Sequence, residues 1–297
     1  MKTRAALLIL ISAGAVLLTV YLVKPAPEPK PDPVPAKPST TAAKPASPPK
    51  AGDVLMLSPS VRDGARLYAG WPLIIDLAVW RPLPDETSQV TSPVTIKAKG
   101  ASWGSALVVT VKDSSGTAVK WPLHLEKVEE ASVTVGQQDM ADASWWLAPE
   151  ETKSLPEGQY SISVAFDPRL LVGDPPPSRS DNYYLTVAKE PAQLDKDLQE
   201  EKDLAFASFH LVRGETAAAG ALTGKVLAAN PESIGGHRLN GRLLFMSGKT
   251  NEALTAYGEA LDIYYRKYPE ACPPWPMLAE RDAVLGQIEI KTAPGQQ

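Results

Sequence analysis

Several groups of residues have types and spacings that could do chemistry. Gly100-Ala101-Ser102-Trp103-Gly104 has the Gly-x-Ser-x-Gly form in which a sharp strand-to-helix turn presents a serine nucleophile, with an acid and a histidine following later in the chain. Here a strand pattern, Ala106 to Lys112, follows instead of a helix, and the three histidines, His124, His210 and His237, stand in no suggestive context. A serine hydrolase at Ser102 is therefore a remote alternative. Six of the seven tryptophans, Trp71, Trp80, Trp103, Trp121, Trp145 and Trp146, fall in one stretch. Exposed rings of this kind stack on sugars, and buried ones pack a core. Trp145 and Trp146 are adjacent on a strand, so they face opposite ways and one is a candidate for exposure. Arg238 and Arg242 sit at i and i+4 of a helical pattern and share a face, where two guanidinium groups can hold a carboxylate. Cys272 is the single cysteine and cannot form an intrachain disulfide. No His/Cys cluster has metal-ligand spacing, and the sequence implies no cofactor.

These groups must be positioned by the elements around them, and the first of those is not part of a globular fold. Residues 5–23, AALLILISAGAVLLTVYLV, are 19 uncharged residues. At about 1.5 Å per helical residue they span roughly the hydrocarbon core of a bilayer. Ala13-Gly14-Ala15 has the form of a signal-peptidase site, but the apolar run continues through Val23, so the expectation is an uncleaved signal-anchor. Lys2 and Arg4 before the span predict a cytosolic tail at 1–4 and an exported body. Residues 24–50 contain ten prolines and should form a semi-rigid spacer. Their X-Pro pattern resembles the periplasm-crossing spacers of bacterial energy-transduction and secretion proteins. A net charge of −4 without a basic block argues against nucleic acid as a partner.

Residues 51–189 show short β-branched runs separated by Gly, Pro, Asp and Ser. The pattern predicts seven or eight strands, among them Leu73–Trp80, Val94–Lys99, Ala106–Lys112, Ala118–Leu125, Ala131–Val135, Tyr160–Phe166 and Tyr183–Val187, in an antiparallel β-sandwich. Leu155-Pro156-Glu157-Gly158-Gln159-Tyr160 resembles the turn before the penultimate strand of immunoglobulin-like domains, where a tyrosine bonds back to the backbone. Ile162 stands where an antibody domain would carry its second cysteine, so the resemblance is to a disulfide-free bacterial Ig-like domain.

Residues 190–290 repeat at an offset of 34: Ala207 matches Gly241, Gly214 matches Gly248, Ala219 matches Ala253 and Leu227 matches Leu261. The spacing predicts helices at 193–212, 215–229, 233–247, 250–268 and 276–290, with a tail at 291–297. Gly214 to Leu227 and Gly248 to Leu261 resemble the second helix of a tetratricopeptide repeat. The usual Trp near each repeat start is missing, with Asp203 and His237 in its place. The resemblance implies peptide binding on the face of the first helices, formed by Glu201, Leu204, Ser208 and Leu211 and then by Gly235, Arg238, Arg242 and Phe245. The partner-binding candidates are Leu204, Ser208, Leu211, Arg238, Arg242 and Phe245. Tyr257, Leu261, Tyr264, Tyr265 and Tyr268 form an aromatic face, read as core or as a self-association surface.

The sequence reading is thus a multi-domain, non-enzymatic chain: a transmembrane helix, a Pro-rich linker, an all-β Ig-like sandwich and an all-α repeat. Such a chain would be single-pass in a bacterial inner membrane, with its body in the periplasm, and would act as a scaffold for a protein or peptide partner. Carbohydrate or cell-wall binding through the sandwich is the alternative from another class.

Overall fold

A computed structural model describes residues 54–62, 64–82, 92–126, 130–136 and 139–292. The expected membrane span at 5–23 and the linker at 24–50 lie outside the described residues. Among those described, no helix is long and apolar enough to cross a membrane.

Two five-stranded sheets pack face to face. The first runs in spatial order β11 (Ser178–Ser180), β1 (Leu55–Val61), β3 (Leu73–Trp80), β9 (Met140–Leu147) and β7 (His124–Leu125). The second runs β2 (Arg66–Tyr68), β12 (Tyr183–Ala188), β10 (Gly158–Phe166), β5 (Leu107–Asp113) and β6 (Ala118–Val119). A ribbon of β4 (Val94–Lys97) and β8 (Ser132–Val135) closes one flank. Alternation along β3 sends Leu73, Ile75, Leu77 and Val79 inward, where they meet Tyr160, Ile162 and Val164 of β10 and Leu185 of β12 in two adjoining cores. Ile74 faces outward yet is only 1% exposed, because a helix covers that end of the sheet. The Tyr160 hydroxyl donates to the Pro156 carbonyl at 2.8 Å, so the expected tyrosine corner forms, with Trp121 tilted against its ring at 5.1 Å.

Three details differ from the sequence expectation. Ala118–Leu125 is not one strand. Pro122 lacks an N–H and interrupts it, so β6 pairs with β5 in one sheet and β7 with β9 in the other. The pairing is not wholly antiparallel, because β1–β11 and β2–β12 run parallel at the edges. Strands β1, β2 and β11 also carried too little alternation to be read. Pro59 sits inside β1, and it is tolerated because β11 pairs only with Leu55 to Leu57, leaving that flank of Pro59 without a ladder.

A one-turn α1 (Pro149–Thr152) lies between β9 and β10, and five helices follow the sandwich: α2 (Lys196–Val212), α3 (Thr216–Ala229), α4 (Ile234–Met246), α5 (Thr250–Lys267) and α6 (Trp275–Thr292). Asp195 caps α2 by accepting from the Leu198 N–H, and Ser233 caps α4 by accepting from the Gly236 N–H. Helices α2 and α4 end identically. Gly214 and Gly248 both adopt φ +75°, and each end pairs its N–H groups with carbonyls three and five residues back. The 34-residue offset is thus a repeated helical hairpin in space. Each helix packs on the next, and α4 also touches α2 and α6. Small residues set the approach: Ala207, Ala219, Ala253 and Ala260 are at most 1% exposed.

Gly241 is the tightest of these positions. A Cβ there would lie 3.0 Å from the ring of Tyr257, itself 1% exposed. Gly241→Val should therefore destabilise by about 2–3 kcal/mol through overpacking. Gly258→Ala, with nothing within 4 Å of its added Cβ, should stabilise by up to about 1 kcal/mol through helix propensity. Denaturant unfolding followed by circular dichroism measures both.

Candidate functional site

A cleft of about 290 Å³ lies where the repeat meets the sandwich. One helical wall is Glu201, Leu204 and Ser208 of α2, and the other is Gly235, Arg238, Leu239 and Arg242 of α4. Arg62, in the turn after β1, brings the sandwich to its rim. Four of the six predicted partner-binding residues, Leu204, Ser208, Arg238 and Arg242, therefore converge on one cavity. The other two do not reach it. Leu211 is buried with Ala207, Ala219 and Leu239, and Phe245 packs on the Ala253–Tyr257–Val284 cluster. Their helical phase matched the surface, but neighbouring helices cover them.

The three arginines of the cleft are held differently. Arg62 Nε donates to Asp76 Oδ2 at 2.8 Å, and the Ser144 hydroxyl donates to Asp76 Oδ1 at 2.7 Å. Burial alone would push the Asp76 carboxyl up, but the Arg62 guanidinium and the Ser144 hydroxyl outweigh it and hold it below the usual carboxylate range. Arg238 forms a two-pronged pair with Glu280 of α6, Nε to Oε2 at 2.8 Å and Nη2 to Oε1 at 2.7 Å. Burial opposes its charge, yet Glu280 raises its pKa overall. Arg242 is the open one. Its Nε stands 3.6 Å from Glu280 Oε1, and it makes no hydrogen bond among the described residues. Burial first, and then the charge of Arg62, pull its pKa down. Arg242 is thus a half-buried cation with its donors unused beside other cations, an arrangement an incoming anion relieves.

Glu126 lies behind this wall. Its N–H donates to the Ser144 carbonyl at 2.8 Å, and burial raises its carboxyl against the pull of Arg62 and Arg242. Arg62, Asp76, Glu126 and Glu280 were not found by sequence reading. Only Asp76, a lone charge inside the apolar run of β3, carried a signal.

The other candidates are placed differently. Ser102 precedes a 3-10 turn and then β5, and its buried Oγ has no hydrogen-bond partner. The histidines are engaged elsewhere: His124 with Glu151, His210 with Glu215 and His237 with Glu259. Trp71, Trp103, Trp121 and Trp145 are at most 8% exposed. Trp146, the half-exposed member of its pair, lies under His124 at 4.4 Å and against Phe209 at 5.6 Å. Trp80 is 37% exposed and bonds Ser58. Cys272 is exposed and free. Among the described residues no group of three or more His, Cys, Asp or Glu is placed to hold a metal ion.

No protein-family model matches the chain, and no curated protein matches its sequence. Solved structures resemble it in part. The CARDB domain of a Pyrococcus furiosus protein aligns at 13% identity over 50% of this chain and 100% of its own, with a TM-score of 0.25. A family 123 glycoside hydrolase from Clostridium perfringens aligns at 13% identity over 48% of this chain and 28% of its own, with a TM-score of 0.27. MyfA, the major subunit of Myf fimbriae from Yersinia enterocolitica, aligns at 17% identity over 46% of this chain and 98% of its own, with a TM-score of 0.21. Scores this low transfer no activity to the chain.

The cleft separates two arginines that look equivalent in sequence. Arg238→Ala leaves the mostly buried Glu280 with only the long Arg242 contact and should cost about 2 kcal/mol. Arg242→Ala removes a cation that has only one long ion pair and no hydrogen bond, and it should stay within about 0.5 kcal/mol of the parent. Thermal denaturation with equal starting circular dichroism separates the two. Glu126 gives a pH test. Its folded pKa is raised above the unfolded value, so the native state binds the proton more readily. Stability is then highest below the unfolded value of 4.5 and falls as pH rises through the folded value. Glu126→Gln should therefore raise the melting temperature at neutral pH, and the gain should vanish toward pH ~4.

Proposed function

We propose that this chain is a non-catalytic docking module, tethered to a membrane by residues 5–23 and held off it by the Pro-rich stretch 24–50. In this reading the body is exported from a bacterial cell, the sandwich is Ig-like, and the helical hairpins are of the tetratricopeptide type. The hairpins take an acidic segment of a partner protein in the cleft between α2 and α4. The observation that carries the reading is Arg242, whose guanidinium lines that cleft without a hydrogen bond and is crowded by Arg62 and Arg238. Arg238 acts here as a positioning residue, because its two-pronged pair with Glu280 already fixes its guanidinium. The sugar-binding alternative has less support, since four of its six candidate rings lie in the core.

The test is recovery of a partner from solubilised membranes with the full chain as bait. The bait should sediment with the membrane fraction and resist high salt. A half-buried arginine–carboxylate contact is worth about 1–2 kcal/mol, so Arg242→Gln should weaken recovery roughly 5- to 30-fold at unchanged helical circular dichroism. Undiminished recovery would place the partner surface outside this cleft.

A further inference from the structure

The cleft is polar at both ends, and the ends differ in sign. A Cβ on Gly235 would lie 2.7 Å from Leu204 Cδ1, and Leu239 packs with Ala207 and Leu211. Both numbers rise together, so α2 and α4 run in the same direction with Leu204 abreast of Gly235. From that level Glu201 is three residues back along α2 and Arg242 is seven residues on along α4. At about 1.5 Å per residue the two positions stand roughly 15 Å apart along the helices. The charges acting on Arg242 are Arg62, Glu280, Arg238 and Asp76, whereas the charge of Glu201 acts on Arg66. Glu201 is exposed and makes no hydrogen bond or ion pair among the described residues. Between the two ends the walls are Leu204, Gly235 and Leu239. A carboxylate without a hydrogen bond therefore faces a guanidinium without one across an apolar middle.

We infer that the cleft reads an extended partner segment with an acidic and a basic side chain flanking an apolar one on the same face, the acid on Arg242 and the base on Glu201. Alternate residues of an extended chain share a face, and four residues cover about 13 Å, so the three side chains fall at i, i+2 and i+4. A segment with acids at both ends would set one of them against Glu201, and like charges facing each other are a source of specificity. The inference rests on the docking reading proposed above and adds to it the chemistry of the partner.

Two capped synthetic peptides on an alanine background test it by calorimetric titration into the full chain. One carries glutamate, leucine and lysine at alternate positions, and the other replaces the lysine with glutamate. The mixed peptide should bind about 10-fold more tightly, and Glu201→Lys should reverse the ranking at unchanged circular dichroism. Equal affinities, a preference of the parent protein for the all-acidic peptide, a ranking unmoved by Glu201→Lys, or no saturable binding of either peptide would overturn the inference. Partner recovery with Arg242→Gln decides the docking reading separately. Recovery that falls while the peptides are not distinguished removes the inference alone, and recovery that holds while the peptides are not distinguished removes both.

Discussion

The packing of α2 against the end of the sandwich is the contact on which the rest of the described structure depends. Ala205 is 1% exposed and belongs to the same core as Trp71, Leu73, Leu147 and Tyr160, with Leu198 and Phe206 packed alongside. A methyl group at that point lets the helix backbone approach the sheet closely. Polar contacts then fix the angle of approach. The Trp71 indole N–H and the Lys202 ammonium both donate to Glu190 Oε1, and Lys202 lies over the Trp71 ring. About two helical turns further on, Phe209 meets Trp146 edge-on, and Arg213 sits over both rings. Helix α2 is thereby held along its length. Because α4 stacks on α2, the position of the second hairpin follows from that of the first.

This mount explains why charges collect at the seam. The outward face of β3 and β9 meets α2 near Ile74 and Trp146, and the next outward positions on the two strands are Asp76 and Ser144. Water reaches those groups poorly, so each charge needs a partner. Asp76 has Arg62 and Ser144, and Glu280 has Arg238. Arg242 is left over, with cations on two sides and a carboxylate at 3.6 Å. A fold under selection for stability alone would have little reason to keep such a cation. It stays in the lining of the cavity, together with Ser208 and Leu239, as a charge whose burial cost the fold carries.

Local physics was the part of this chain legible in sequence. Leu73–Trp80 reads as a strand because its apolar residues match the pleat. Tyr160 was legible because the Pro156–Gly158 turn fixes where its hydroxyl can reach. Gly214 and Gly248 were legible because a helix end that needs positive φ selects glycine. What could not be read depends on distant segments meeting. Arg62 and Arg242 lie 180 residues apart in the chain yet share a cleft. Glu280 reaches Arg238 only because α6 folds back over α4, and nothing in its own neighbourhood signals this. Leu211 and Phe245 show the converse limit. Periodicity gives the face a residue occupies, but not whether a neighbouring helix covers that face.

Two hairpins are fewer than a free-standing helical repeat usually needs, since each buries its apolar face only against a neighbour. Here neither end of the stack is left bare. The sandwich covers α2 on one side, through Ala205 and Phe209. Helix α6 covers α5 on the other, with Met277 and Val284 at 2% and 1% exposure against Ala260 and Tyr257. The sandwich therefore serves as the end cap that a longer array would build from a further repeat. That substitution also shapes the cleft. In a stack capped by a further repeat, the groove between α2 and α4 would continue past α2. In this chain it ends at Arg62, and the Arg62–Asp76 pair charges its rim. The sandwich thus supplies both the stability of the short repeat and part of the chemistry of its groove, so the cleft belongs to the two regions jointly.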